Sequence, residues 1–390
     1  MHKVSRGGNS SGTWIALLAL AAAAAGCGAS RTGTAHNAVP SNPAASGLPH
    51  DAGRSNGPIN VYAADAAGGL SPRVRGAATR VYVPDTLSDT VDVIDPARRR
   101  VVGHFRVGAV PQHVTPSYDL GTLWVDGEGG NTLTPVDPRS GRPRGRPIAV
   151  EDPYNLYFTP DGHAAIVVAE RLRRLDFRAP RTMRLRRSLA VPACFGVDHM
   201  DFSARGDVLF ASCEFAASMI MVDVAREKLV RTLRLRPGSS PQDVKLSPDG
   251  RVLYVADQVA AGVWEIDARR FRVRGFLHTG AGAHGLYVSR DARSLYVSNR
   301  TGGSVSVVSF ASRRVVRTWR LPGHASPDMG GVSADGRTLW LSGRYDRAVY
   351  AIDTRTGKLQ ARINVGDGPH GLCVWPQPGR FSLGHTGVMR

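Results

Sequence analysis

Four histidines and three aspartates carry the most suggestive spacing in this chain. His113, His199, His284 and His370, with Asp198, Asp243 and Asp328, each stand at the start of a short apolar run that recurs through the sequence. When the runs are superposed, one position reads Gln112, Tyr154, Asp198, Gln242, His284, Asp328 and His370. The next reads His113, Asn155, His199, Asp243, Gly285, Met329 and Gly371. Imidazole and carboxylate hold zinc, copper and other divalent transition metals, and they also hydrogen-bond polar ligands. Three uses are open. The polar groups can cap strands and bond between neighbouring copies. Gln112, His113, Tyr154, Asn155, Asp198, His199, Gln242, Asp243, His284, Asp328 and His370 can line a ligand site. His113, His199, His284, His370 and Asp198 can hold a divalent metal. Metal ligation needs donors within about 2.0–2.2 Å of one point. Neighbouring copies, His113 with His370 or Asp198 with His199, are therefore the expected sub-sites, and opposite copies are expected to lie too far apart.

The elements that must position these residues come from an internal repeat. Tyr82, Trp124, Val167, Phe210, Tyr254, Tyr296 and Trp340 mark seven copies of one strand signature, spaced 42 to 44 residues apart. Each copy holds four short runs of alternating β-branched and aromatic residues, bounded by Gly, Pro, Asp and Arg. A Ser/Thr-Pro-Asp-Gly type turn, as at residues 159–162, 247–250 and 333–336, precedes several copies. Four strands per unit and seven units of this length predict an all-β fold, a seven-bladed β-propeller of four-stranded antiparallel blades over residues 59–384. The last copy ends with a strand at residues 370–375 that would open a new blade, and the first copy lacks its own innermost strand. The C-terminal strand is thus expected to complete the first blade and close the ring. Residues 59–63 are a further strand candidate, and residues 385–390 read as a C-terminal tail.

In such a propeller the aligned His and Asp positions ring one channel mouth. Asp85, Asp126, Glu128, Glu170, Glu214, Asp257, Arg300 and Arg344, at the ends of the adjacent strands, are expected on the same side. Copies 2 and 3 depart most from the repeat, with the basic stretch 171–187 expected to replace the usual second strand and its turn.

Residues 294–322 (SLYVSNRTGGSVSVVSFASRRVVRTWRLP) and 338–375 (TLWLSGRYDRAVYAIDTRTGKLQARINVGDGPHGLCVW) resemble the YVTN family of β-propeller repeats, and the resemblance runs over about residues 78–378. It implies the fold and no particular activity, because many functions use this scaffold. The family's Pro-His-Gly is intact at Pro369-His370-Gly371 and nearly so at Ala283-His284-Gly285. A histidine ring at a channel mouth is similar in principle to the copper-cluster propeller of nitrous oxide reductase, without that enzyme's full histidine set.

The N-terminus carries targeting signals. Lys3 and Arg6 precede an apolar stretch from Trp14 to Ala25, too short to span a bilayer comfortably and suited to the core of a signal peptide. It ends in Ala24-Ala25-Gly26-Cys27, which resembles a bacterial lipobox. Residues 1–26 are thus expected to be a lipoprotein signal peptide and Cys27 the lipidated first residue. Residues 27–58, rich in Ser, Gly, Ala, Asn and Pro, read as a flexible tether. The protein is expected to be exported and lipid-anchored, facing the periplasm or the cell exterior. Cys194 and Cys213 fall at adjacent strands, and a disulfide is permitted there after export; Cys373 reads as a buried core thiol.

The formal charge is +18, from 50 basic and 32 acidic residues, and only Lys3, Lys228, Lys245 and Lys358 are lysines. The arginines are scattered, which fits codon bias better than a nucleic-acid surface. No nucleophile elbow, P-loop, HExxH, dinucleotide fingerprint or CxxCH is present. The leading expectation is a monomeric, membrane-anchored binding platform for a protein, peptide or polymer, with no cofactor required beyond a candidate divalent metal. Alternatives are a metal-dependent lactonase-like hydrolase or a lyase resembling the streptogramin-inactivating propellers, and a redox-associated propeller resembling haem-d or amine dehydrogenase domains.

Overall fold

The computed structural model describes residues 59–385 and 387–390; residues 1–26 and 27–58, expected to be a signal peptide and a tether, and Cys27 lie outside them. Period-two alternation builds each blade, and blade 5 shows how. Pro241–Leu246 is innermost, followed outward by Val252–Asp257, Gly262–Asp267 and Arg272–His278. The three inner strands are buried almost throughout, whereas Arg272–His278 is largely exposed, so apolar residues on both faces of the inner strands pack against the flanking blades. The turn at 247–250 entering the second strand is held by Ser247, whose Oγ accepts from Val252 N at 2.9 Å and donates to Asp249. Gly250 there has φ +70°, a conformation costly for any residue with a Cβ.

Seven such sheets surround the channel, giving the expected seven-bladed propeller. Their innermost strands are Cys373–Trp375 in blade 1, then Pro111–Pro116, Pro153–Phe158, Val197–Phe202, Pro241–Leu246, Ala283–Val288 and Pro327–Val332 in blades 2 to 7. The C-terminal strand Cys373–Trp375 pairs antiparallel with Arg80–Asp85 and closes the ring as expected. Closure leaves no bare sheet edge between first and last blades. The core is correspondingly divided: seven hydrophobic clusters each fill one blade–blade interface, the closing one joining Val81, Val83 and Ile94 to Trp340, Val349 and Leu372. Cys194 and Cys213 are bridged, with their Cα atoms 4.9 Å apart, and Cys373 is a buried free thiol.

Three local expectations are overturned. Residues 59–63 form no strand: Asn60 Oδ1 accepts from Tyr62 N and Asn60 O from Ala63 N, which turns the chain into the short 3₁₀ helix Ala63–Asp65. The basic stretch 171–187 does not displace the outer half of blade 3. Arg174–Arg178 and Leu185–Ala190 are regular strands there, because buried Asp176 pairs with both Arg174 and Arg178 while Leu175 and Phe177 enter the core.

Residues 385–390 are not a tail. Ser382–Gly384 and Val388–Met389 pair with each other, and Gly384 pairs with Tyr157 on the inner strand of blade 3. Leu383 and Met389 are buried, so the segment adds to the core. Arg390 Nη2 reaches Asp201 Oδ1 at 2.8 Å, and its guanidinium lies 4.5 Å from the Tyr62 ring centroid. The segment therefore meets the ends of the inner strands remote from the mouth.

Asp201 is buried, and Arg390 is its ion-pair partner. Arg390→Ala leaves that carboxylate uncompensated, a change that costs about 3–5 kcal/mol in other buried pairs. Urea unfolding of the full chain is expected to show a loss of this order, and a loss below about 1 kcal/mol would refute a structural role for the C-terminal segment.

Candidate functional site

The inner strand of a blade has a ladder partner on one edge only. Its other edge faces the channel and the next blade, so its backbone groups need other partners. Side chains one repeat away supply them. His113 Nδ1 lies 2.9 Å from Tyr154 O, Tyr157 Oη accepts from Met200 N at 3.0 Å, and Asp201 Oδ2 accepts from Leu246 N at 2.8 Å. Asp243 Oδ2 accepts from Leu286 N at 2.9 Å and Tyr287 Oη from Gly330 N at 2.6 Å. Between blades 1 and 2 the backbone does this itself, with Gly371 N donating to Gln112 O at 2.9 Å and Val114 N to Gly371 O at 3.0 Å. Gly371 is required for this approach, since a Cβ there would collide with the His113 ring. Cross-blade bonding by these polar residues, one of the three uses open from sequence, is thus present.

A recurrent bulge aims the remaining groups. In blades 2, 4, 5, 6 and 7 the ladder skips the pairs 112–113, 198–199, 242–243, 284–285 and 328–329. Residues outside the ladder are released from strict alternation, so consecutive side chains can both turn toward the channel. The freed N–H groups of His199, Gly285 and Met329 donate to Ser212, Ser298 and Ser342 Oγ at 3.1, 2.8 and 3.2 Å.

The predicted site residues divide into two layers. The deeper layer is a buried imidazole cluster. His113 has ring centroids 5.5 Å from His199 and 4.9 Å from His370, and His284 lies 6.1 Å from His199 and 5.9 Å from His370. A fifth ring, His385, lies 4.5 Å from His199 and 5.5 Å from His113. Metal-ligating atoms of His113, His199 and His385 lie within 4.8 Å of one another, as do those of His284, Asp328 and His370. Contact also reaches beyond the neighbouring copies expected to pair: His113 of blade 2 meets His199 of blade 4, because the channel narrows to ring-contact distance at this level. Asp198 Oδ1 stands 2.7 Å from His199 Nδ1, behind the ring rather than beside the other histidines. His385 escaped the sequence reading because it lies beyond the last copy, where superposing repeats gives no information.

Burial pushes His113, His284 and His370 well below the ordinary imidazole range, and His385 down to about 3. At His199 burial is again the largest single cause and acts the same way, but Asp198 and Asp243 together outweigh it and the net direction is upward. The cluster is thus mostly neutral imidazole, the form that binds metals. The second triad is already neutralised, since Arg300 Nη2 lies 2.7 Å from Asp328 Oδ1. On the C-terminal side, His385 borders a cavity of about 50 Å³ shared with Lys245, Tyr287, Arg290, Gln377 and Met389.

The shallower layer is the mouth. Gln112 Nε2 donates to Glu128 Oε2 at 2.6 Å, and Gln242 Nε2 donates to Ser240 O at 3.2 Å. Of the residues expected at the strand ends, Glu128, Glu170, Glu214, Arg300 and Arg344 act here. Asp85 and Asp257 instead turn into their blades, Asp85 accepting from Thr90 and Asp257 from Ser240 N, Ala260 N and Trp264 Nε1; Asp126 is fully buried. The mouth is polarised. Burial, then Asp198 and Glu128, hold the Glu170 carboxyl up at about 9, and burial with Asp198 holds Glu214 at about 7. Glu214 takes its hydrogen bond from neutral Gln258 Nε2 at 2.8 Å. On the other side the guanidinium of Arg344 bonds the neutral acceptors Thr86 Oγ1 and Gly368 O, both at 2.9 Å.

A family model described as YNCE-like beta-propeller matches residues 60–378, a span containing all seven copies. The protein YncE of Salmonella typhi is 30% identical over 126 residues, 32% of this chain and 35% of that protein. A 6-phosphogluconolactonase of Pectobacterium carotovorum subsp. carotovorum (strain PC1) is 27% identical over 155 residues, 35% of this chain and 46% of that enzyme. The chain thus aligns with less than half the length of these curated relatives. Among solved structures, the periplasmic gluconolactonase PpgL of Pseudomonas aeruginosa superposes with a TM-score of 0.64 at 22% identity, covering 77% of this chain and 99% of that one. Hydrazine synthase of Kuenenia stuttgartiensis superposes at 0.57 and 20% identity, covering 66% and 87%. At these identities the structures share the fold alone.

The raised mouth carboxyls make stability pH-dependent. Glu170 and Glu214 are held protonated in the fold but ionise near their ordinary 4.5 when unfolded. Their contribution is complete below that value and is lost as pH rises through about 7 for Glu214 and about 9 for Glu170. Above about pH 7, where His113, His284, His370 and His385 are neutral whether folded or unfolded, the urea midpoint of the parent should therefore fall up to about pH 9, and the double variant Glu170→Gln, Glu214→Gln should flatten that fall. An unchanged slope in the double variant would contradict the assignment.

Proposed function

The chain belongs to the YNCE-like β-propeller family, and from that premise we propose that it is a lipid-tethered, extracytoplasmic binding protein whose channel mouth receives a ligand carrying both charges. The observation that carries this reading is the polarity of the mouth. Glu170 and Glu214 lie on one side without a basic partner of their own, and Arg344 lies opposite, spending its hydrogen bonds on neutral acceptors. A half-buried guanidinium without a carboxylate, facing carboxyls kept protonated for want of a cation, is relieved on both sides by a complementary ligand. A peptide or polymer segment with a cationic group toward the carboxyls and an anionic group toward Arg344 fits.

Export is supported by the Cys194–Cys213 bridge, which persists in oxidising compartments. It is also supported by the signal-peptide pattern of residues 1–26 and by Cys27. More than one acyl chain on Cys27 would give stable anchoring, and residues 27–58 would set the reach of the propeller.

A second reading is favoured by Glu214. A carboxyl held near 7 at a solvent-facing mouth is suited to general acid–base work. Together with the likeness to a 6-phosphogluconolactonase, it supports a hydrolase acting on lactones at the same mouth.

Replacing Cys27 by Ser is expected to move the protein from the membrane to the soluble extracytoplasmic fraction; a parent chain found soluble in the cytoplasm would defeat the proposed location. Calorimetric screening with zwitterionic dipeptides, in two buffers of different ionisation enthalpy, tests the mouth. Binding should release a proton as a cation docks on Glu170. Arg344→Ala and Glu214→Gln should each weaken it about tenfold, or about 1.4 kcal/mol. Binding that is equal in both variants would remove the mouth from the interaction. Hydrolysis of gluconolactone above the buffer rate, lost in Glu214→Gln, would select the second reading.

A further inference from the structure

We propose that His113, His199 and His385 form a binding site for one divalent transition-metal ion of the zinc or copper class within the channel. Three imidazoles from blade 2, blade 4 and the C-terminal segment present ligand atoms within 4.8 Å of one another in a fully buried setting. Imidazole nitrogen suits these metals better than magnesium or calcium, which prefer oxygen.

The second observation is the unused nitrogens. His113 Nε2, His199 Nε2 and His385 Nε2 are buried and have no hydrogen-bond partner. Leaving a buried polar group unsatisfied costs about 1–3 kcal/mol, and one cation bound among the three rings, whose ligand nitrogens lie within 4.8 Å of one another, would relieve it. His113 is already oriented for it: its Nδ1 is directed at Tyr154 O at 2.9 Å, which favours the proton on Nδ1 and leaves Nε2 with its lone pair, the arrangement found behind metal-bound histidines. His199 Nδ1 lies 2.7 Å from Asp198 Oδ1, within ion-pair distance but without the alignment of a hydrogen bond. His385 differs, because Asn155 Nδ2 stands 3.1 Å from its Nδ1 and Asp243 Oδ1 3.3 Å from its Nε2. Asn155 carries both a donor and an acceptor. Turning its amide over, at the cost of the bond Oδ1 accepts from Leu156 N at 2.9 Å, lets it accept from His385 Nδ1–H and moves the His385 proton off Nε2 without net proton release.

Electrostatics choose this triad over the other. His284, Asp328 and His370 stand next to Arg300, whose guanidinium already holds Asp328. Around His113, His199 and His385 stand Asp198 and Asp243, with Lys245 Nζ 3.4 Å from Asp243 Oδ1 as the facing cation. Two carboxylates against one ammonium leave a net negative surround for the ion. The triad is also closed to the mouth ligand, so the metal would join blades 2 and 4 to the C-terminal segment rather than meet a substrate.

The test uses the full chain, purified without a histidine tag. Elemental analysis after dialysis is expected to find close to one equivalent of zinc or copper per chain. After chelator treatment, titration with Co²⁺ should give the intense visible band of a low-coordinate nitrogen site. His199→Asn and His385→Asn should lose both the retained metal and the band. Asn155→Ala should weaken Co²⁺ binding by about 10- to 100-fold, and His163→Asn, on an exposed turn, should leave it unchanged. A parent chain that retains no metal and shows no cobalt band overturns the proposal, whether or not the variants fold. Equal metal binding by folded His199→Asn and His385→Asn also overturns it. No mouth ligand is needed for these measurements, so failure here leaves the proposed binding function standing.

Discussion

Everything distinctive about this molecule follows from the unpaired inner edge of seven strands. A sheet that ends at a channel leaves N–H and C=O groups with no ladder partner, and water cannot serve them once the channel is filled by side chains. The chain meets the need with tyrosines and aspartates that reach from one inner strand to the backbone of the next, as Tyr157, Asp201, Asp243 and Tyr287 do. The same requirement explains why polar residues occupy the most buried positions of an otherwise apolar repeat. It also ties each blade to its neighbour by directed bonds, in addition to the seven apolar clusters between blades.

Because that lacing uses only some of the inward-facing groups, the remainder are left to other work. Bulges at the start of the inner strands turn paired residues toward the axis, and the copies differ there in charge. Carboxyls gather on blades 2 to 4 as Glu128, Glu170, Glu214 and Asp198, and guanidiniums on blades 6 and 7 as Arg300 and Arg344. Asp328 ties Arg300 down, whereas Arg344 keeps its charge without a carboxylate hydrogen bond. The polarised mouth and the nearly neutral imidazole layer beneath it are linked, through Asp198, which stands against His199 and holds Glu170 and Glu214 up, and through Arg300, which holds Asp328.

The C-terminal segment joins these levels. After Trp375 closes blade 1, the chain continues across the far ends of the inner strands. There it adds two short strands to blade 3, pairs Arg390 with Asp201 and brings His385 up to His199. A single excursion thus compensates a buried carboxylate, covers inner-strand ends and completes the histidine cluster. Tyr62, whose ring lies against Arg390 and whose hydroxyl donates to Leu246 O, brings the N-terminal end of the described chain to the same place.

By itself the sequence determined the architecture and the ring. A period of 42 to 44 residues with four alternating runs per copy admits little besides a propeller, and the missing first inner strand is matched by the surplus last one. Superposed copies also identify His113, Asp198, His199, Asp243, His284, Asp328 and His370 as inward-facing, because repeat position translates directly into radial position. What repeats cannot convey is anything outside them or across the axis. His385 and Arg390 lie past the last copy, so only the folded path of the segment shows that they enter the protein. The contact between His113 and His199, two blades apart, depends on how narrow the channel becomes, which is set by seven-fold packing and not by any local pattern. The division of the polar residues into structural bonds and free donors was likewise settled by tertiary distances. Asp198 and Asp328 share one repeat position, yet one stands behind a histidine and the other is held by Arg300.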